Sequence, residues 1–193
     1  ASRPIKAAEK AACIKAFGKT PKEYKVALDG LSVYVHADST VKELSLEQLE
    51  KIFTGKAKNW KEVGGNDSPI TVYSRENSSG TYEFFKEHVL KGQDFVSSAQ
   101  TMPGTAALLQ SVSRDKNGIG YGGAAYGHGA KALKIKQTAD SPAIEPTEET
   151  VVKGTYPIWR YLYVYVNPAV DKGEIGSYLN WIRSEDGQKI VKN

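Results

Sequence analysis

The chain is 193 residues long, with 26 Lys+Arg against 22 Asp+Glu, 40% hydrophobic residues, 18 Gly, 11 Tyr and a single cysteine. That length allows one large domain or two small ones, and the apolar fraction is enough to fill a core. The lone Cys13 excludes a disulfide-stapled scaffold and a four-cysteine zinc site, no apolar run reaches the roughly 20 residues of a bilayer span, and a net charge of +4 spread along the chain is no polyanion-binding signature.

Pro4 is placed for the first turn of a helix that continues through Ala7, Ala8, Ala11, Ala12, Ile14 and Phe17 to Gly18. Residues 24–28 and 31–36 read as two short strands around a turn signal at Asp29-Gly30. Ser45 and Gln48 make a capping box, with Leu46, Leu49, Ile52 and Phe53 on one apolar face and Gly55 ending the helix. Residues 56–68 are a loop anchored by Trp60, with turn chemistry at Gly64-Gly65-Asn66-Asp67. A strand over 70–74 leads into a helix over 81–91, and a further helix covers 105–113. A strand over 118–122, a glycine-rich turn to 129 and a strand over 133–136 follow. Residues 138–150 carry Pro142 and Pro146 and read as a surface loop. Residues 159–166, rich in Tyr and Val, form the strongest strand, and the last helix spans 174–190 with a break near Gly187. Strands alternating with helices predict an α/β fold.

The chemistry concentrates at residues 69–85, which read strand, short loop of small residues, amphipathic helix. That order aims the unpaired N–H groups of a helix start at the crevice beyond the strand's carboxyl end, where they favour an anion. Ser79 and Thr81 add hydroxyls, Gly80 lets the backbone approach closely, and Arg75 brings a planar fork suited to an oxyanion. The alternative is that Ser79 or Thr81 caps the helix while Arg75 pairs with Glu76 or another acid. Ser2-Arg3 before Pro4 is a second donor pair at a helix start, and Arg160, at the entry to the last strand, faces either the same cleft or solvent, with a structural role favoured.

Other patterns lead elsewhere. Gly118, Gly120 and Gly123 satisfy G-x-G-x-x-G, but no strand precedes the first and no helix opens at the last, which argues against dinucleotide binding. His36, His88 and His128 are isolated from one another and from Cys13, so no metal site is expected, and no cofactor. No nucleophile–base pairing is visible, and Glu148-Glu149 read as loop solvation. Tyr161, Tyr163 and Tyr165 alternate along one strand face as sheet packing rather than a base-stacking platform, so no nucleic-acid partner is expected.

Arg75-Glu76-Asn77-Ser78-Ser79-Gly80-Thr81 resembles the anion loop of the periplasmic phosphate-binding proteins that serve ABC importers. The stretch from Leu44 to Trp60, Gly118-Ile119-Gly120-Tyr121, Tyr156-Pro157 with Arg160-Tyr161-Leu162-Tyr163, and Ser184 to Val191 are similar to segments of that family in the same order, as is Ala1-Ser2-Arg3-Pro4-Ile5. The resemblance implies a two-lobed Venus-flytrap fold, one lobe incomplete, with residues 1–36 and 156–193 in one lobe and 37–155 in the other. It implies a non-enzymatic receptor for inorganic phosphate, with Arg75, Ser79, Gly80 and Thr81 as ligands, Ser2 and Arg3 as further ligands, and Arg160 supported by position alone. Glu76 is the acid nearest the loop, placed to brace Arg75. The partner it implies is an ABC permease in the membrane. The implied location is periplasmic or extracellular, with lipid anchoring before processing, as a monomer.

Against the family pattern, one strand-helix-strand unit is expected ahead of Ser2. The missing initiator Met suggests a processed chain whose first half-site resides in another chain, such as a complementing N-terminal fragment, has been cleaved off, or has been lost. An interaction or sensory module that kept the fold and lost tight anion binding is the alternative.

Overall fold

Helix α1 (Ala7–Phe17) closes at Gly18, whose φ of +71° and N–H to Ile14 O form a left-handed cap. It starts three residues later than Pro4 would place it. Glu9 accepts the Lys6 N–H at 2.8 Å and pairs with Arg3, so the cap lies at Lys6 and Pro4 stays outside. Strand β1 (Lys22–His36) corrects the expected pair of strands: it runs unbroken through Asp29-Gly30. Gly30 serves packing, since a Cβ there would lie 2.6 Å from Val151 Cγ2.

Strand β2 (Glu43–Ser45) leads into α2 (Leu46–Phe53), with the expected box: Ser45 N–H to Gln48 Oε1 at 2.9 Å and Gln48 N–H to Ser45 Oγ at 3.2 Å. Leu49, Ile52 and Phe53 are buried on its inner face. A 3-10 turn (Trp60–Val63) buries Trp60, whose Nε1 donates to Asn117 O. Strand β3 (Thr71–Arg75) and helix α3 (Gly80–His88) follow, then β4 (Gln100–Met102), α4 (Thr105–Arg114) and β5 (Gly118–Gly123).

Strands β6 (Ala130–Ala132) and β7 (Lys134–Lys136) precede helix α5 (Glu148–Val152). The expected loop over 138–150 is thus partly helical. Thr147 caps α5, and Glu148 and Glu149 sit in its first turn, where the helix dipole favours acids. Strand β8 (Trp159–Val166) has the predicted bounds. The last helix divides into α6 (Gly173–Ile182) and α7 (Glu185–Val191), parted at Arg183-Ser184 instead of Gly187. Gly187 lies inside α7, where a Cβ would meet Trp181 O at 2.2 Å.

The computed structural model describes residues 1–127 and 129–191, which divide into two units, one formed by Ala1–Leu28 with the residues from Arg160 onward and the other by Asp29–Trp159. His128 lies outside the described residues. In the first unit, Ala1 bonds Tyr163 through both its backbone groups, and the Tyr24 hydroxyl donates to Asp171 at 2.7 Å.

In the second unit, the sheet order is β4-β3-β5-β1-β6. Strands β3, β4 and β5 run parallel, with Arg75 opposite Met102 and Thr71 opposite Gly118, while β1 is antiparallel to β5. Tyr34, Tyr73, Leu108, Leu109 and Val112 form a core cluster between this sheet and α4. No helix among the described residues is long and apolar enough to cross a membrane.

Candidate functional site

The parallel arrangement of β3, β4 and β5 puts their carboxyl ends on one rim, and α3 and α4 both begin there. Arg75 is the last residue of β3 and Thr105 the first of α4. Opposite Arg75 in the register is Met102, so three further residues bring Thr105 to the Arg75 side chain. Ligands of open α/β sheets lie beyond this edge.

The Arg75 side chain is 14% exposed and held on two sides. Its Nε and Nη2 donate side-on to the Glu76 carboxylate at 3.2 and 2.8 Å, and Nη1 donates to Thr105 Oγ1 at 2.9 Å. Arg75 therefore pairs with Glu76, which was the alternative to anion binding. The pairing does not exhaust it. A guanidinium has five N–H donors, and three are committed, which leaves two. Glu76 titrates below the usual carboxylate range because Arg75 donates to it.

Ser79 is the N-cap of α3 and 8% exposed. Its Oγ accepts the N–H groups of Thr81 at 3.2 Å and Tyr82 at 3.4 Å. Both cap and ligand readings can hold at once, because these bonds use the oxygen's lone pairs and leave its O–H to donate. Among the described residues no acceptor faces that O–H. Gly80 and Thr81 follow as the first two residues of the helix.

Behind the loop, the Tyr121 hydroxyl accepts the Arg75 backbone N–H at 3.4 Å and lies 3.1 Å from Ser74 Oγ. Burial pushes its phenol up to about 12, so it stays neutral. The rim therefore offers an unspent pair of guanidinium N–H groups, an unspent hydroxyl and a helix start. All are donors, and the acid next to Arg75, Glu76, is already engaged.

The remaining sequence candidates are placed as follows. Arg3 lies in the first unit, donating through Nη1 and Nη2 to Glu9 at 2.9 and 2.8 Å, and Ser2 precedes it half-buried. Arg160 is buried at 8% exposure on β8. His88 is exposed, stacked on Phe84 at 5.1 Å with Nε2 3.0 Å from Pro157 O, and His36 Nδ1 accepts the Asp38 N–H. Among the described residues no group of His, Cys, Asp and Glu is placed to hold a metal.

Two of the glycines that mimic a nucleotide fingerprint, Gly118 and Gly120, have another role, which Gly122 shares. Gly118, Gly120 and Gly122 alternate on one face of β5. A Cβ would meet Asp115 O at 3.1 Å from Gly118, Leu108 Cδ2 at 2.5 Å from Gly120 and Thr105 Cγ2 at 2.5 Å from Gly122. Gly120 and Gly122 let α4 lie close on the strand, and Gly118 leaves room for Asp115 just after the helix.

A groove of about 770 Å³ elsewhere in this unit contains Lys51 and Lys136, but these pair with Glu47 at 2.7 Å and Glu43 at 2.9 Å, so its charge is largely cancelled. Thr105 escaped the sequence reading because nothing local links it to Arg75, 30 residues away.

A family model described as a PBP superfamily domain matches residues 1–186. A phosphate-binding protein PstS of Pseudomonas aeruginosa is 34% identical over 206 residues, covering 98% of this chain and 64% of its own length. One of Staphylococcus epidermidis is 36% identical over 197 residues, covering 97% of this chain and 59% of its own length. This chain thus spans less than two thirds of the length of these relatives. Among solved structures, a Clostridium perfringens chain with bound phosphate superposes with a TM-score of 0.84 at 35% identity, covering 99% of this chain and 74% of that one. An ABC-type phosphate transport receptor from Vibrio cholerae gives 0.79 at 25% identity, covering 98% and 75%. The chain belongs to the PBP superfamily.

Proposed function

We propose that this member of the PBP superfamily is a phosphate receptor of an ABC-type uptake system, taking the anion at the β3–α3 junction. The observation that carries the reading is the set of donors left over there. Two N–H groups of Arg75 and the O–H of Ser79 have no acceptor in the described structure, and an oxyanion supplies acceptors for all three. Arg75, Ser79, Gly80 and Thr81 are the proposed ligands. The names of the relatives, and the phosphate bound in the Clostridium perfringens structure, favour phosphate among oxyanions.

The role is binding rather than turnover, and its partner is the membrane permease of the same uptake system. The protein works in the periplasm or outside the cell. Titration calorimetry with inorganic phosphate tests the reading. Arg75→Ala weakens binding about 100-fold or more and Ser79→Ala about 10-fold, as expected for lost charge-assisted hydrogen bonds. Unchanged affinity in folded Arg75→Ala would overturn the site. No heat of binding from the folded chain would favour the interaction or sensory module instead.

A further inference from the structure

The geometry points to Thr105 as a positioning residue for Arg75, one that sets the direction of the two N–H groups left for the anion. This inference rests on the reading of Arg75 as an anion ligand. Glu76 alone cannot fix the guanidinium. It is the next residue in the chain, its side chain is 34% exposed, and ion pairs so placed are weakly held. Thr105 grips the opposite end of the group, at Nη1, from a different helix. With Nε and Nη2 on Glu76 and Nη1 on Thr105, the plane is tied at both ends.

Thr105 is itself locked. Its Cγ2 occupies the space that Gly122 leaves open on β5, where a Cβ would come within 2.5 Å. A β-branched residue in a helix has few χ1 choices, and seating the methyl over Gly122 turns Oγ1 toward Arg75. Helix α4 is held on the same strand by Leu108 and Val112 over Gly120. Thus Gly122 orients Thr105, Thr105 orients Arg75, and the donor pair is directed before the anion arrives. Such preorganisation lowers the ordering cost of binding.

Two readouts on the 193-residue chain test this. The first is phosphate affinity by calorimetry. The second is the rate of rotation about the Arg75 Cζ–Nη bonds by nitrogen-15 NMR, which needs no ligand. Thr105→Val keeps the shape, loses the acceptor, weakens phosphate about 10-fold and frees the rotation. Thr105→Ser restores the acceptor and lies within about threefold of wild type, with rotation still slow. Gly122→Ala behaves like Thr105→Val although it touches neither Arg75 nor the anion; if it does not fold, the Val and Ser pair decides.

Thr105→Val with wild-type affinity and wild-type Nη rotation overturns the proposal. Arg75→Ala with unchanged affinity removes the anion site instead, and the rotation measurement then still decides whether Thr105 holds the guanidinium.

Discussion

Phe85 and Tyr121 lie face to face, ring centroids 4.0 Å apart and planes 13° from parallel, and this contact seats the helix of the proposed anion loop on the strand behind it. Phe53 meets Phe85 edge-on at 4.8 Å, and Phe85 is fully buried. Phe85→Ala therefore leaves a cavity under the first turns of α3. It lowers stability by about 3–5 kcal/mol in urea unfolding and weakens the proposed phosphate binding as the loop loses its support.

Glycines in this chain divide by what surrounds them. Gly120→Ala forces a Cβ to within 2.5 Å of Leu108 Cδ2 and 3.0 Å of Val112 Cγ2, which pushes α4 off β5 and costs about 1–3 kcal/mol. Gly176→Ala, in helix α6, meets nothing nearer than 3.6 Å and raises stability by about 0.5–1 kcal/mol. Denaturant midpoints of the two variants should move in opposite directions.

Glu50 makes the fold sensitive to acid. Its carboxylate accepts from Lys91 at 2.8 Å, Gln93 at 2.8 Å and Lys56 at 3.1 Å, and it titrates at about 2, with the Lys91 hydrogen bond the largest cause. A carboxylate depressed in the folded state contributes stability above its unfolded pKa, and that contribution is lost as pH falls through the folded value. The gap between wild type and Glu50→Gln, on the order of 1–3 kcal/mol, should be full above about pH 5 and close toward pH 2. A gap independent of pH in urea titrations would contradict the assignment.

Glu76 places a negative charge against the proposed anion-binding guanidinium. Glu76→Gln keeps the length and one acceptor while removing that charge. Phosphate affinity should rise about 3–10-fold at low ionic strength, with the gain shrinking as salt is added. A loss of affinity would mean that bracing Arg75 outweighs repelling the anion.

Features set by neighbours in the chain were legible without a structure. The Ser45–Gln48 box, the Gly18 cap, the bounds of β8 and the strand-loop-helix order around Arg75 and Ser79 each depend on residues within a few positions of one another. Asp29-Gly30 misled because the same dipeptide signals a turn or permits close packing, and Val151, more than a hundred residues away, selects the second. Gly118, Gly120 and Gly123 fit a nucleotide fingerprint that the missing strand and helix already argued against, and Gly120 serves instead the packing of α4, which precedes it in the chain.

By itself, the sequence determined an α/β chain with an anion-favouring helix start preceded by Arg75, because periodicity, caps and donor types are local properties. Only the tertiary structure decided how many donors Arg75 has left. Parallel pairing of β3 with β4 brings Thr105 to its side chain, and a hydrogen bond across 30 residues has no signature in either segment alone.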